Sequence, residues 1–126
     1  DLHRLIRRQR QMCIRDRCLG VVVRDCRGVR VVIPRALYDH VRDRHGDLME
    51  RLNVGDVDGF ISVVRGVLLD PDEVYVDDRG SVYYLLRVGG FHLNVVVAGG
   101  VVRTVYLLGA ESYQRMRCRR WRIRIY

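Results

Sequence analysis

The sequence predicts an α+β domain, with an N-terminal hairpin and two helices packed on an antiparallel four-stranded β-meander. Between residues 35 and 69, apolar residues recur at three- and four-residue steps, which is the spacing of helix faces. From Glu73 the period falls to two, and Asp77-Asp78-Arg79-Gly80, Gly89-Gly90 and Gly99-Gly100 punctuate the alternating runs as turns. A chain of 126 residues, 48% of them hydrophobic, has the length of one domain and enough apolar side chains to bury a core without metals or disulfides.

Leu19 to Arg24 and Val29 to Ile33 are β-branched runs separated by Asp25-Cys26-Arg27-Gly28, which reads as a hairpin turn. Pro34 fits the first turn of a helix spanning 35–45. Leu37, Val41 and Leu48 share one stripe, Gly46 is a C-cap or a short break, and Asp47 caps a second turn. Asp56 is placed to cap a helix from about Val57 to Leu69, with Phe60, Val63, Val64, Val67 and Leu68 on one face and Asp70-Pro71-Asp72 as its stop. The strands that follow are Val74-Tyr75-Val76, Ser81 to Val88, Phe91 to Ala98 and Val101 to Leu108. Glu111 to Arg117 reads as a last helical turn, and Trp121 to Tyr126 as an edge strand.

All 23 positive residues are Arg, a composition that either GC-rich codon usage or selection for planar phosphate contacts produces. The charge sits at the ends. Residues 1–19 carry +4, residues 115–126 carry +6, and the stretch between them carries −2. A polyanion partner fits this distribution, as do two solvated basic tails. Segment 1–18 stands apart from the domain at 19–126. Met12-Cys13-Ile14-Arg15-Asp16-Arg17 resembles translated sequencing-adapter DNA, so the segment is either artefactual or a short basic helix. Cys13, Cys18, Cys26 and Cys118 form no CxxC pair and have no His at zinc-finger spacing, so reduced thiols in a cytoplasm are expected, with no metal. No run approaches the roughly 18 apolar residues that span a bilayer.

A two-residue loop at Gly89-Gly90 pairs Val88 with Phe91, Arg87 with His92 and Leu86 with Leu93. One sheet face is then apolar (Val82, Tyr84, Leu86, Val88, Phe91, Leu93, Val95, Val97) and belongs under the helices. The other (Tyr83, Leu85, Arg87, His92, Asn94, Val96, Ala98) mixes polar and apolar groups and is expected to meet solvent or a ligand. Tyr83, Arg87 and His92 there are candidates for RNA contact, against an ordinary solvated face. In the next strand a two-residue loop puts Arg103 on that face, whereas a three-residue loop puts Thr104 and Tyr106 there.

His40 and His45 share the first helix with Arg44 and flank the Leu37–Val41–Leu48 stripe on opposite sides. They are not an i, i+4 metal pair. At the boundary of the stripe they either reach a ligand or merely pack.

His40-Val41-Arg42-Asp43-Arg44-His45 is followed by a helix ending Val67-Leu68-Leu69-Asp70-Pro71-Asp72. The Val-rich strands Tyr83-Tyr84-Leu85-Leu86 and Leu93-Asn94-Val95-Val96-Val97 come next, then Thr104-Val105-Tyr106. Over about residues 31–108 this order resembles the phage-associated branch of the barnase–EndoU–colicin–RelE (BECR) nuclease fold, except that Gly46 stands where the family often has Pro. The resemblance implies a metal-independent endoribonuclease, toxin-like or phage-effector-like, that needs no cofactor and has His45, His40, Arg44, Thr104 and Tyr106 as its site. RNA is the implied partner, with an antitoxin or immunity protein as a second. Two rivals use the same residues without chemistry: a nucleic-acid-binding domain and a protein-interaction module. No P-loop, GxGxxG, HExxH or GxSxG motif is present.

Overall fold

The change of hydrophobic period at Glu73 is where helices give way to sheet. The computed structural model describes residues 20–126; the basic segment 1–18, and Leu19 of the expected first strand, lie outside the described residues. β1 (Gly20–Arg24) and β2 (Arg30–Pro34) pair antiparallel around a turn in which Gly28 takes a φ of 81°. Three helices follow: α1 (Leu37–Arg44), α2 (Gly46–Arg51) and α3 (Val57–Leu69). Asp56 caps α3, accepting the Gly59 N–H at 2.7 Å. Then come β3 (Glu73–Asp77), β4 (Val82–Val88), β5 (Phe91–Ala98), β6 (Val101–Leu108), α4 (Ala110–Arg119) and β7 (Trp121–Arg124).

All seven strands join one sheet, in the order β1-β2-β6-β5-β4-β3-β7. The sheet is thus wider than the four strands the sequence suggested. The N-terminal hairpin does not lie over it but extends it, through a parallel contact of Val32 with Val101 in which the Val32 N–H reaches the Gly100 carbonyl at 2.8 Å. β7 extends the other edge by pairing with β3. Every other pairing is antiparallel.

Burial divides the sheet into two faces. Tyr84, Leu93, Val95, Val97, Val102 and Val105 lie in a core with Leu37, Val41 and Leu48 and with Phe60, Val64, Val67 and Leu68 of α3. On the opposite face Tyr75, Tyr83, Leu85, Val96 and Leu108 are buried with Tyr113 of α4 and Trp121 of β7. The mixed face, which the alternation alone left to solvent or a ligand, is therefore largely covered, with Arg87 still exposed. α4 is a ten-residue helix rather than a single turn, and it covers much of that face through Tyr113 and Met116.

The Gly89-Gly90 hairpin has the expected pairs, Val88 with Phe91, Arg87 with His92 and Leu86 with Leu93. At the next hairpin Gly99 and Gly100 take φ values of 61° and 76°, the positive pair a two-residue turn needs. Ala98 faces Val101 and Val97 faces Val102, after which the register shifts. Thr104 then faces Val96, and Tyr106 faces Asn94. Arg103 is the extra residue of a β-bulge, so a two-residue loop coexists with Thr104 and Tyr106 on the mixed face.

Two local expectations also change. Pro34 ends β2 instead of opening a helix, and α1 begins at Leu37. His45 does not sit inside one helix with His40. It is the hinge between α1 and α2 (φ −135°, ψ 52°), with no side-chain cap from Asp47 and no left-handed Gly46.

Candidate functional site

β2 leaves the sheet soon after it meets β6, because the chain turns into α1 just beyond Pro34. α1 packs against β6. The α1–α2 hinge holds His45 by its backbone: the His45 N–H donates to the Val41 carbonyl at 2.6 Å, and its own carbonyl accepts the Leu48 N–H at 3.0 Å. The half-buried imidazole lies over Tyr106, with ring centroids 6.0 Å apart and planes inclined at 32°. Two residues distant in sequence thus meet at the edge of β6.

Tyr106 is half-buried and packs against the core beneath α4. Burial pushes its pKa up, and the Asn94 amide and the Arg120 charge oppose that rise. Asn94, directly across on β5, is completely buried, and neither its amide oxygen nor its nitrogen reaches a partner in hydrogen-bond geometry. Arg120 ends α4 and also acts on the Tyr83 hydroxyl. There burial and a 2.8 Å bond to Asp77 raise the pKa, and the guanidinium pulls against them.

The other expected residues are dispersed. His40 and Arg44 are exposed on α1, and Thr104 is half-buried, on the face and strand of Tyr106. Arg103 is exposed at the bulge, and its Nε donates to the Ala98 carbonyl at 3.2 Å. Arg87 is exposed, while its backbone N–H donates to Asp72 at 2.7 Å. Tyr83 is buried.

His92 belongs to a separate cluster beneath the start of α4. Its ring stacks on Tyr113 with centroids 4.1 Å apart, and Nε2 lies 3.7 Å from Glu73. One oxygen of Glu73 accepts the hydroxyls of Tyr75 at 2.5 Å and Tyr113 at 2.6 Å. Burial raises the Glu73 pKa, but those bonds and the charges of Arg124 and His92 outweigh it, and the net shift is downward. This cluster fastens α4 to β3, and His92 packs within it.

A third polar group lies on the helix-covered face. Asp25, buried in the first turn, accepts the Tyr84 hydroxyl at 2.6 Å and the N–H groups of Arg27 and Val29 at 2.8 Å each, with the Arg27 guanidinium at 3.0 Å. With so many partners it anchors the hairpin to the core and has no acceptor left to offer a substrate.

Among the described residues, no three or more His, Cys, Asp or Glu side chains are grouped as a metal site requires. Cys26 is half-buried and Cys118 exposed, and both are free thiols. No helix among them is long and apolar enough to cross a membrane.

Two groups around α4 escaped the sequence reading of the site, whereas Asn94, the one polar residue inside Leu93-Asn94-Val95-Val96-Val97, was already placed on the mixed face near Tyr83, Arg87 and His92. Arg120 left no trace among its neighbouring arginines, and Glu73 looked like the first residue of a strand. Comparison of the chain with family models, curated proteins and solved structures finds no match in any of the three.

Proposed function

We propose that the chain is a metal-independent endoribonuclease of the toxin-like or phage-effector-like kind, acting on RNA in the cytoplasm. In this reading the hairpin, the helices and the β3–β6 meander are the elements of a BECR-type nuclease. The observation that carries it is the meeting of His45 with Tyr106, since these residues come from the two separate motifs on which the family resemblance rests.

Metal-free RNA cleavage needs a base for the 2′-hydroxyl proton, a donor or cation for the charge on phosphorus, and an acid for the leaving 5′-oxygen. His45 fills the base or acid role from a backbone-fixed hinge. Tyr106, whose raised pKa keeps its hydroxyl protonated at neutral pH, offers a hydrogen bond to the phosphoryl oxygens. Thr104 lies two residues before it on the same face, and Arg44 stands one residue before His45 as the phosphate clamp. A toxic ribonuclease requires a neutralising antitoxin or immunity protein in the cell that makes it.

The test is cleavage of labelled single-stranded RNA by the full chain in EDTA, beside His45→Ala and Tyr106→Phe. His45→Ala is expected to lower the rate by roughly 10²–10⁴-fold. An unchanged rate removes His45 from the mechanism. RNA binding with a steep salt dependence but no cleavage would instead identify a nucleic-acid-binding domain, the reading that the six arginines of residues 115–126 favour on their own.

A further inference from the structure

The C-terminal end of α4 meets the turn between β3 and β4. Asp77, Asp78, Arg79, Arg119 and Arg120 line an open cavity of about 290 Å³ there. Both carboxylates in its wall are already engaged. Asp77 accepts the Tyr83 hydroxyl at 2.8 Å and the N–H groups of Arg79 and Ser81 at 2.9 Å each. Asp78 holds Arg122 in a two-point ion pair at 2.8 and 3.2 Å. Among the described residues the guanidinium groups of Arg79 and Arg119 form no ion pair. Arginines at a helix C-terminus complement its dipole, which explains their sign. That does not explain a concavity where Arg119 and Arg120 are joined by Arg79 of the β3–β4 turn around carboxylates that are already occupied.

The chemistry that fits is a phosphodiester. Guanidinium forks match phosphate oxygens and need no apolar support. A folded protein partner would want an apolar or aromatic anchor. None of the exposed large hydrophobic residues, Val22, Val29, Leu69, Ile123 and Tyr126, lines the cavity. The cavity lies apart from the candidate site: the row Tyr75–Tyr83–Val96–Thr104 crosses the sheet from β3 to β6, and its three strand spacings alone amount to about 14 Å.

We propose that this cavity is a phosphate subsite that holds a backbone phosphodiester of single-stranded RNA between Arg79 and Arg119, away from the scissile bond. The assignment of RNA as ligand rests on the ribonuclease reading above. The test measures affinity for a labelled oligouridylate across a salt series, in full-length His45→Ala protein so that the RNA stays intact. Arg79→Gln/Arg119→Gln is compared with Arg30→Gln/Arg65→Gln, which removes the same charge from exposed positions elsewhere. The first pair is expected to flatten the log–log salt slope by about 0.7, the contribution of the one single-strand phosphate that is no longer neutralised, and the control pair to leave it unchanged. Equal behaviour of the two pairs would overturn the subsite, whether or not the wild type cleaves RNA. Binding with the expected flattening but without wild-type cleavage supports the subsite and removes the ribonuclease reading. Polyglutamate bound as tightly as RNA, and released in the same variant, would assign the cavity to an acidic protein and overturn the proposal.

Discussion

Asn94 and Asp25 are both buried polar side chains, and they have opposite energetics. Asp25 has a full set of donors, so deleting one of them should be costly: Tyr84→Phe is expected to destabilise the fold by about 1–3 kcal/mol, read from urea denaturation. Asn94 has no partner in hydrogen-bond geometry, and a buried unpaired amide costs a comparable amount. Asn94→Leu should therefore raise stability by about 1 kcal/mol; under the proposed ribonuclease reading it should also slow RNA cleavage, because Asn94 stands directly across from Tyr106 in the sheet. A loss of stability on that substitution would mean that the amide is bonded after all. At this scale the sequence was partly legible. Period-two alternation put Asn94 and Tyr83 on one face, and a polar residue within an apolar run is visible by eye. The approach of His45 to Tyr106 was not derivable from the residues themselves, since it depends on where α1 ends and on which way the hinge turns. Only the order of motifs pointed to it.

α4 shows what an element needs before it is legible. Among the described residues, Tyr113 and Met116 are its apolar contacts with the sheet, and the rest of its sequence is charged, polar or small, so a window across it shows little apolar stripe. Its length is set by the face it covers, through the Tyr113 bond to Glu73 and the stack on His92. Tyr113→Ala is expected to cost about 3–5 kcal/mol, as for other large buried aromatic residues, in a denaturant midpoint measurement. A cost near zero would show that α4 is held by β7 alone. α3 was legible because capping, periodicity and stop signals agree, and Asp56→Ala should cost about 1 kcal/mol in the same assay. The register of β6 was not legible. A one-residue slip exchanges its two faces, and a bulge at Arg103 creates that slip inside the strand, where loop length gives no hint of it.

At the scale of the whole molecule, carboxylates tie the layers together. Asp25 fastens the first hairpin to β4, Asp77 the β3–β4 turn to Tyr83, and Glu73 fastens α4 to β3. Burial raises each of these pKa values, but their hydrogen bonds and neighbouring cations outweigh it, so all three lie below their ordinary values. A carboxyl with a folded-state pKa below its unfolded value binds fewer protons when folded. Its contribution to stability is complete above the unfolded pKa and is lost as pH falls through the folded one. The loss should therefore begin near the ordinary values of 4.5 for Glu and 3.8 for Asp and deepen below them. The arginines stay charged throughout, so each proton taken up also adds to a chain already at +8 and strengthens its self-repulsion. Denaturation free energies measured from neutral pH to about pH 2 should fall steeply at the acid end. Glu73→Gln keeps an oxygen acceptor for the two tyrosines but cannot titrate, so its curve should start lower and run flatter in the acid range. The same slope in Glu73→Gln and wild type would show that the α4 attachment does not depend on the charge of Glu73.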